Sequence, residues 1–98
     1  MTDFTSIKNK ASKQFPKNPR YIEFGKRLKE VLKDHHVTQK RLCQITGLSI
    51  TMVGKWVGGI AIMKVHTFAT IVDALGLTAM EIAYLLEAFW EDEEVKDD

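Results

Sequence analysis

The chain has 98 residues, 45% apolar and 28% charged, the proportions of one small globular domain. No apolar run approaches the ~20 residues that cross a bilayer and no charged-then-apolar leader ends in a small-residue cleavage site, so a cytoplasmic protein is expected. The formal net charge of +1 conceals a segregation: residues 1–77 carry 13 basic and 5 acidic side chains, a net of +8, whereas residues 78–98 carry 1 and 8, a net of −7, and a basic body of this kind suits a polyanion.

Residues 1–17 read as a flexible basic arm. Lys8, Lys10, Lys13 and Lys17 are spread through polar residues that include Pro16, a composition that buries little. Lys10, Lys13 and Lys17 are the candidate arm contacts to a polyanion. Asn18-Pro19 then predicts a helix start, a capping residue followed by a first-turn proline. Phe24, Leu28, Val31 and Leu32 form its apolar stripe, with Lys26, Arg27, Lys29 and Lys33 expected on the outside. The helix should end near Asp34-His35-His36, where the two histidines are expected at the surface, their partial charge suiting the helix dipole.

The next 22 residues, Thr38 to Gly59, predict two short helices about a glycine turn. Thr38 caps the first and Ser49 the second. Each is preceded by an apolar residue able to fold back on the fifth residue beyond it, Val37 toward Leu42 and Leu48 toward Val53. Leu42 and Ile45 are expected on the inner face of the first helix, and Val53 and Trp56 on that of the second. Gly47 stands where the chain must turn, a position that often needs a left-handed backbone. This is a helix-turn-helix pattern, which commonly carries its second helix into a DNA major groove. Cys43, the lone cysteine, cannot form an internal disulfide and reads as a small core residue, the alternative being a reactive thiol.

Beyond Gly58-Gly59 the connection Ile60-Ala61-Ile62-Met63-Lys64 leads to a helix of about 65–75 that lacks a good cap, with Val65, Phe68, Ala69, Ile71, Val72 and Leu75 expected inward and Gly76 as its stop. Thr78-Ala79-Met80-Glu81 is a capping box with Leu77 and Ile82 as its staple. The last helix carries Met80, Ile82, Ala83, Leu85, Leu86, Phe89 and Trp90, more apolar surface than one terminal helix on a small core needs. Leu85, Leu86, Phe89 and Trp90 are therefore the expected two-fold dimer interface, although covering the domain's own core would also explain them. Residues 91–98 form an acidic tail, a solubilising end, a competitor for the basic face or a partner-binding segment.

Five helices in this order, with Phe24-Gly25 in the first, Val37-Thr38-Gln39 at the turn, Gly47 nine residues after the Thr38 cap, Trp56 and Gly59 closing the second motif helix, and Ala74-Leu75-Gly76-Leu77 ending the fourth, resemble the lambda-repressor-like (Cro/repressor, XRE) DNA-binding domain over residues 22–82. The resemblance implies an all-α, five-helix domain and a bacterial, phage or plasmid regulator that binds an operator as a dimer. It implies Gln39 at a phosphate, and Ile50, Thr51 and Lys55 at base edges, with Met52 beside them. The DNA-binding set expected is Gln39, Lys40, Ser49, Ile50, Thr51, Met52, Lys55 and Lys64. The chain departs from the family pattern in its apolar recognition helix, where only Thr51 and Lys55 can donate, and in the apolar loop Ile60–Met63. That surface suits an alternative reading, a protein-interaction module such as an antirepressor or adaptor, with a non-specific nucleoid-type binder as a third. No enzymatic activity, cofactor or metal site is expected, because His35, His36 and His66 have no Cys or carboxylate at a ligand spacing and no glycine-rich phosphate loop follows a strand.

Overall fold

Side-chain oxygens set the helix starts. A computed structural model describes residues 18–90; the basic arm, with Lys10, Lys13 and Lys17, and the acidic tail 91–98 lie outside the described residues. Among the described residues five α-helices follow one another: α1 Pro19–Asp34, α2 Gln39–Thr46, α3 Ile50–Val57, α4 Val65–Leu75 and α5 Ala79–Leu86, then a 3-10 turn, Glu87–Phe89. Asn18 accepts from the backbone N–H of Arg20 at 2.9 Å, Thr38 from that of Arg41 at 3.0 Å, and Ser49 from that of Met52 at 3.2 Å. Thr78 and Glu81 bond reciprocally as a capping box. Such caps contribute about 1 kcal/mol each. α4 starts at Lys64 without a side-chain cap bond, as its sequence foretells.

The core is built around α1. Phe24, Leu28, Val31 and Leu32 meet Leu42, Val53, Trp56, Ile71, Leu77 and Leu85. The Phe24 ring lies 6.2 Å from Phe68 and 5.4 Å from Phe89 between centroids, edge-tilted contacts of the kind aromatic pairs prefer. Val37, Leu48 and Ile82 are partly buried against this core. Gly25 lets α1 approach the end of α3 closely: a Cβ there would stand 2.4 Å from the Val57 carbonyl oxygen and 2.6 Å from that of Trp56. Just beyond, Gly59 takes φ +78° with its Cα against Ile22.

Three inward assignments and one outward one shift. Ile45 is 41% exposed, because the buried stripe of α2 runs through Gln39, Leu42, Cys43 and Thr46, the full i, i+3, i+4, i+7 set, and Cys43 takes the inner place expected for Ile45. On α4 the stripe is Phe68, Ile71, Val72 and Leu75; Ala69 falls outside it and Val65, at the uncapped first turn, is exposed. Arg27, expected outward, is 7% exposed. Its Nε donates to Glu23 at 2.9 Å, its Nη1 to the Tyr84 carbonyl at 2.7 Å, and its guanidinium lies 4.6 Å from the Tyr84 ring centroid, so the charge is buried with its partners. The last α-helix ends at Leu86, with Phe89 in the 3-10 turn and Trp90 just past it.

The end of α1 also differs. His36 adopts a left-handed φ of +59°, its N–H bonding to the Lys33 carbonyl and that of Val37 to the Leu32 carbonyl, a Schellman closure with histidine where glycine is usual. His35 is half-buried, not free at the surface, because its Nε2 lies 2.9 Å from Glu81 Oε2 and ties the end of α1 to the start of α5.

Candidate nucleic-acid interface

α2 and α3 hold a fixed angle through their turn. Gly47 takes φ +80° and its N–H bonds to the Cys43 carbonyl, while Thr46 Oγ1 donates to the Leu42 carbonyl at 2.6 Å and accepts from the Leu48 N–H at 3.2 Å. One threonine thus serves both sides of the turn. The other end of α3 is secured by Gly25 and Gly59 against α1 and by the Ile60 N–H bonded to the Lys55 carbonyl. With Val53 and Trp56 buried, the opposite face of α3 is left to solvent: Ile50, Thr51, Met52, Gly54 and Lys55 are all exposed. Ser49 is exposed at the N-terminus, where the helix dipole is positive; as a cap acceptor it keeps its own O–H to donate.

The charge around this face has one sign. Between Asp34 and Asp73 the chain carries Lys40, Arg41, Lys55 and Lys64 and not one carboxylate side chain, and all four cations are exposed. Arg41 reaches Gln44 at 3.3 Å. Exposed cations of this kind attract phosphates. A helix held at both ends, exposed on one face, and set in a stretch of sequence without carboxylates is suited to lie in a DNA groove.

A family model for the Cro/C1-type HTH DNA-binding domain matches residues 27–86. The chain belongs to this family. Comparison with curated proteins and with solved structures returns no match. The matched span includes α2, the glycine turn and α3, and the chain is a helix-turn-helix DNA-binding domain of the transcription-regulator kind. No helix among the described residues is long and apolar enough to cross a membrane.

Most residues expected at the DNA are exposed. Lys40, Ser49, Ile50, Thr51, Met52 and Lys55 are exposed, Gln39 is half-buried at the start of α2, and Lys64 is exposed at the start of α4. The loop expected to offer an apolar partner surface is largely inside: Met63 belongs to the core and Ala61 and Ile62 pack against it, leaving Ile60 exposed. The expected dimer set divides. Leu85 is fully buried within its own protomer and has no surface to offer, Phe89 packs on Phe24, Leu86 is half-buried, and Trp90 is 55% exposed. The exposed residues of α5 include instead Met80, Ala83 and Tyr84, and Trp90 is exposed beyond the 3-10 turn.

Two groups that support the motif escaped the sequence. Gly25 and Arg27 stand two residues apart in α1; the first seats α3 and the second joins α1 to α5. Their partners are far along the chain, and no local spacing announces them. Tyr84 donates its hydroxyl proton to Glu30, and this bond, aided by partial burial, raises the phenol above its ordinary value.

Proposed function

We propose that this Cro/C1-type protein is a sequence-specific transcriptional regulator, a repressor that binds a palindromic operator as a homodimer. The observation that carries the reading is the outward face of α3, Ile50, Thr51, Met52 and Lys55, exposed within a stretch from Asp34 to Asp73 that has four cations and no carboxylate between its ends. Thr51 would bond a base or touch a thymine methyl, Ile50 and Met52 would pack on thymine methyls, and Lys55 would reach guanine O6/N7. Gln39, Lys40 and Lys64 would hold phosphates and fix the register, and Ser49 would donate at the helix start. The apolar character of α3 favours a T-rich half-site.

A two-fold dimer sets two recognition helices about one DNA turn, ~34 Å, apart. The surface available for it is the exposed Met80, Ala83 and Tyr84 of α5, with Trp90 beyond the 3-10 turn, because Leu85 is committed to the core. The test is selection from a pool of random duplexes at moderate salt, followed by sequencing. A symmetric motif with half-sites one turn apart is the expected result. Retention without a motif would leave a non-specific binder, and no retention would leave the protein-interaction module, with Ile50, Met52 and Ile60 as its exposed apolar surface. Sedimentation of the DNA-free protein at high micromolar concentration reads the dimer separately: a monomer would refute it.

A further inference from the structure

An open apolar groove of ≈ 170 Å³ lies between the first half of α1, the start of α4 and the end of α5, lined by Phe24, Ile62, Val65, Phe68, Leu86 and Phe89. Val65 on its rim is 84% exposed, a large apolar side chain at the mouth of an apolar recess. Grooves of this kind are usually covered.

We propose that Phe15 of this same chain occupies the groove, turning the segment before α1 back along that helix. Asn18, where the described chain begins, stands six residues ahead of Phe24, which lines the groove, so the residues just before it start within reach of the groove. The distances agree. From Asn18 to Phe24 the helix advances about 9 Å at 1.5 Å per residue, and the three residues back from Asn18 to Phe15 span up to about 10 Å when extended. Pro16 favours that extended form at Phe15. Ile7, Phe4 and Met1, the other large apolar residues of the segment, lie eight or more residues before Phe15, and closing their longer loops costs more entropy. The tail after Trp90 is chemically unsuited, for its eight residues hold six carboxylates and one large apolar side chain, Val95, and charges so close to an apolar recess resist burial.

Docking has a consequence for the neighbouring surface. Lys64 sits between Met63 and Val65, both of which line the groove, so Phe15 in place brings Lys13 and Lys17, each two residues from it, to the side of the domain that carries Lys64. Only this consequence rests on the DNA reading. The docking itself is tested without DNA.

The experiment uses the full 98-residue chain, with nuclear Overhauser contacts measured between the Phe15 ring and the methyls of Val65 and Leu86, alongside melting of Phe15→Ala, Val65→Ser and the double variant. Docking predicts contacts within one chain and a fall in Tm of roughly 4 °C or more for Phe15→Ala. It also predicts a double variant that melts higher than the sum of the two single losses allows, since both remove the same contact. Absence of the contacts with a Phe15→Ala melt within about 1 °C of the parent overturns the proposal. So does a contact that appears only between differently labelled chains, which would give the groove to a second copy. Val65 is exposed and at a helix start, so its serine variant keeps the fold and the comparison remains readable.

Discussion

Gly25→Ala adds one carbon where the structure has no room for it. The new Cβ would meet the Val57 carbonyl oxygen at 2.4 Å, the Trp56 carbonyl oxygen at 2.6 Å and the Val57 carbonyl carbon at 2.9 Å, against 3.4 Å for ordinary contact, so α1 and the end of α3 must separate by about 1 Å. All three atoms are backbone, and no rotamer change relieves them. A gap of that size forfeits a quarter to a half of the attraction at each contact along the interface, and overpacking of this kind costs about 1–3 kcal/mol. Alanine's better helix propensity returns up to about 1 kcal/mol. The net expectation is a loss near 2 kcal/mol, or a fall in Tm on the order of 10 °C for a domain of this size, measured by urea or thermal unfolding followed by circular dichroism. An unchanged or raised midpoint would mean that α1 and α3 do not approach as described and would refute the seating of the recognition helix.

The same substitution at Gly54 has the opposite sign. A Cβ there has nothing within 4 Å and the residue is inside α3, so Gly54→Ala should raise stability by about 1 kcal/mol in urea unfolding; a loss would show a hidden contact. His36→Gly should stabilise by roughly 1 kcal/mol, because φ is +59° at that position and left-handed backbone is costly to a side chain; a lower urea midpoint would contradict the Schellman closure. The Thr78 backbone N–H, and after it the His35 ring, hold the Glu81 carboxyl below its ordinary value of 4.5. A depressed carboxylate contributes stability that is complete above the ordinary value and is lost as pH falls through the lowered one. Glu81→Ala should therefore be less stable than the parent at neutral pH, with the deficit shrinking below pH 4.5; a deficit constant into acid would refute the link.

What was legible in the sequence was local. Asn18, Thr38, Ser49 and Thr78 announce their helices because a cap acts within three residues, and Gly47 and Gly76 announce turns because a left-handed φ excludes most side chains. The stripe of α1 is long enough to be read without ambiguity. α2 is not: over eight residues, Leu42 with Ile45 and Leu42 with Cys43 fit a helix equally well, and only packing against α3 and α4 decides for Cys43. Arg27 reads as surface because its partner, the Tyr84 carbonyl, is 57 residues away. Gly25 enters the sequence reading only within the Phe24-Gly25 match to the family, its purpose lying in the carbonyls of α3. On the candidate interface, side-chain types and exposure could be anticipated from capping and periodicity, whereas the division of α5 between core and outward face required the fold.

The claim that DNA meets the exposed face of α3 is tested most directly by backbone amide shift mapping, titrating the labelled protein with a duplex recovered by selection. The account predicts that the largest changes fall on Gln39 and Lys40, on Ser49 through Lys55, and on Lys64, with the outward face of α5 changing little beyond any effect of dimer formation. Changes confined to α5 or to Ile60, with the amides of Ser49, Ile50 and Thr51 unmoved at saturation, would contradict it.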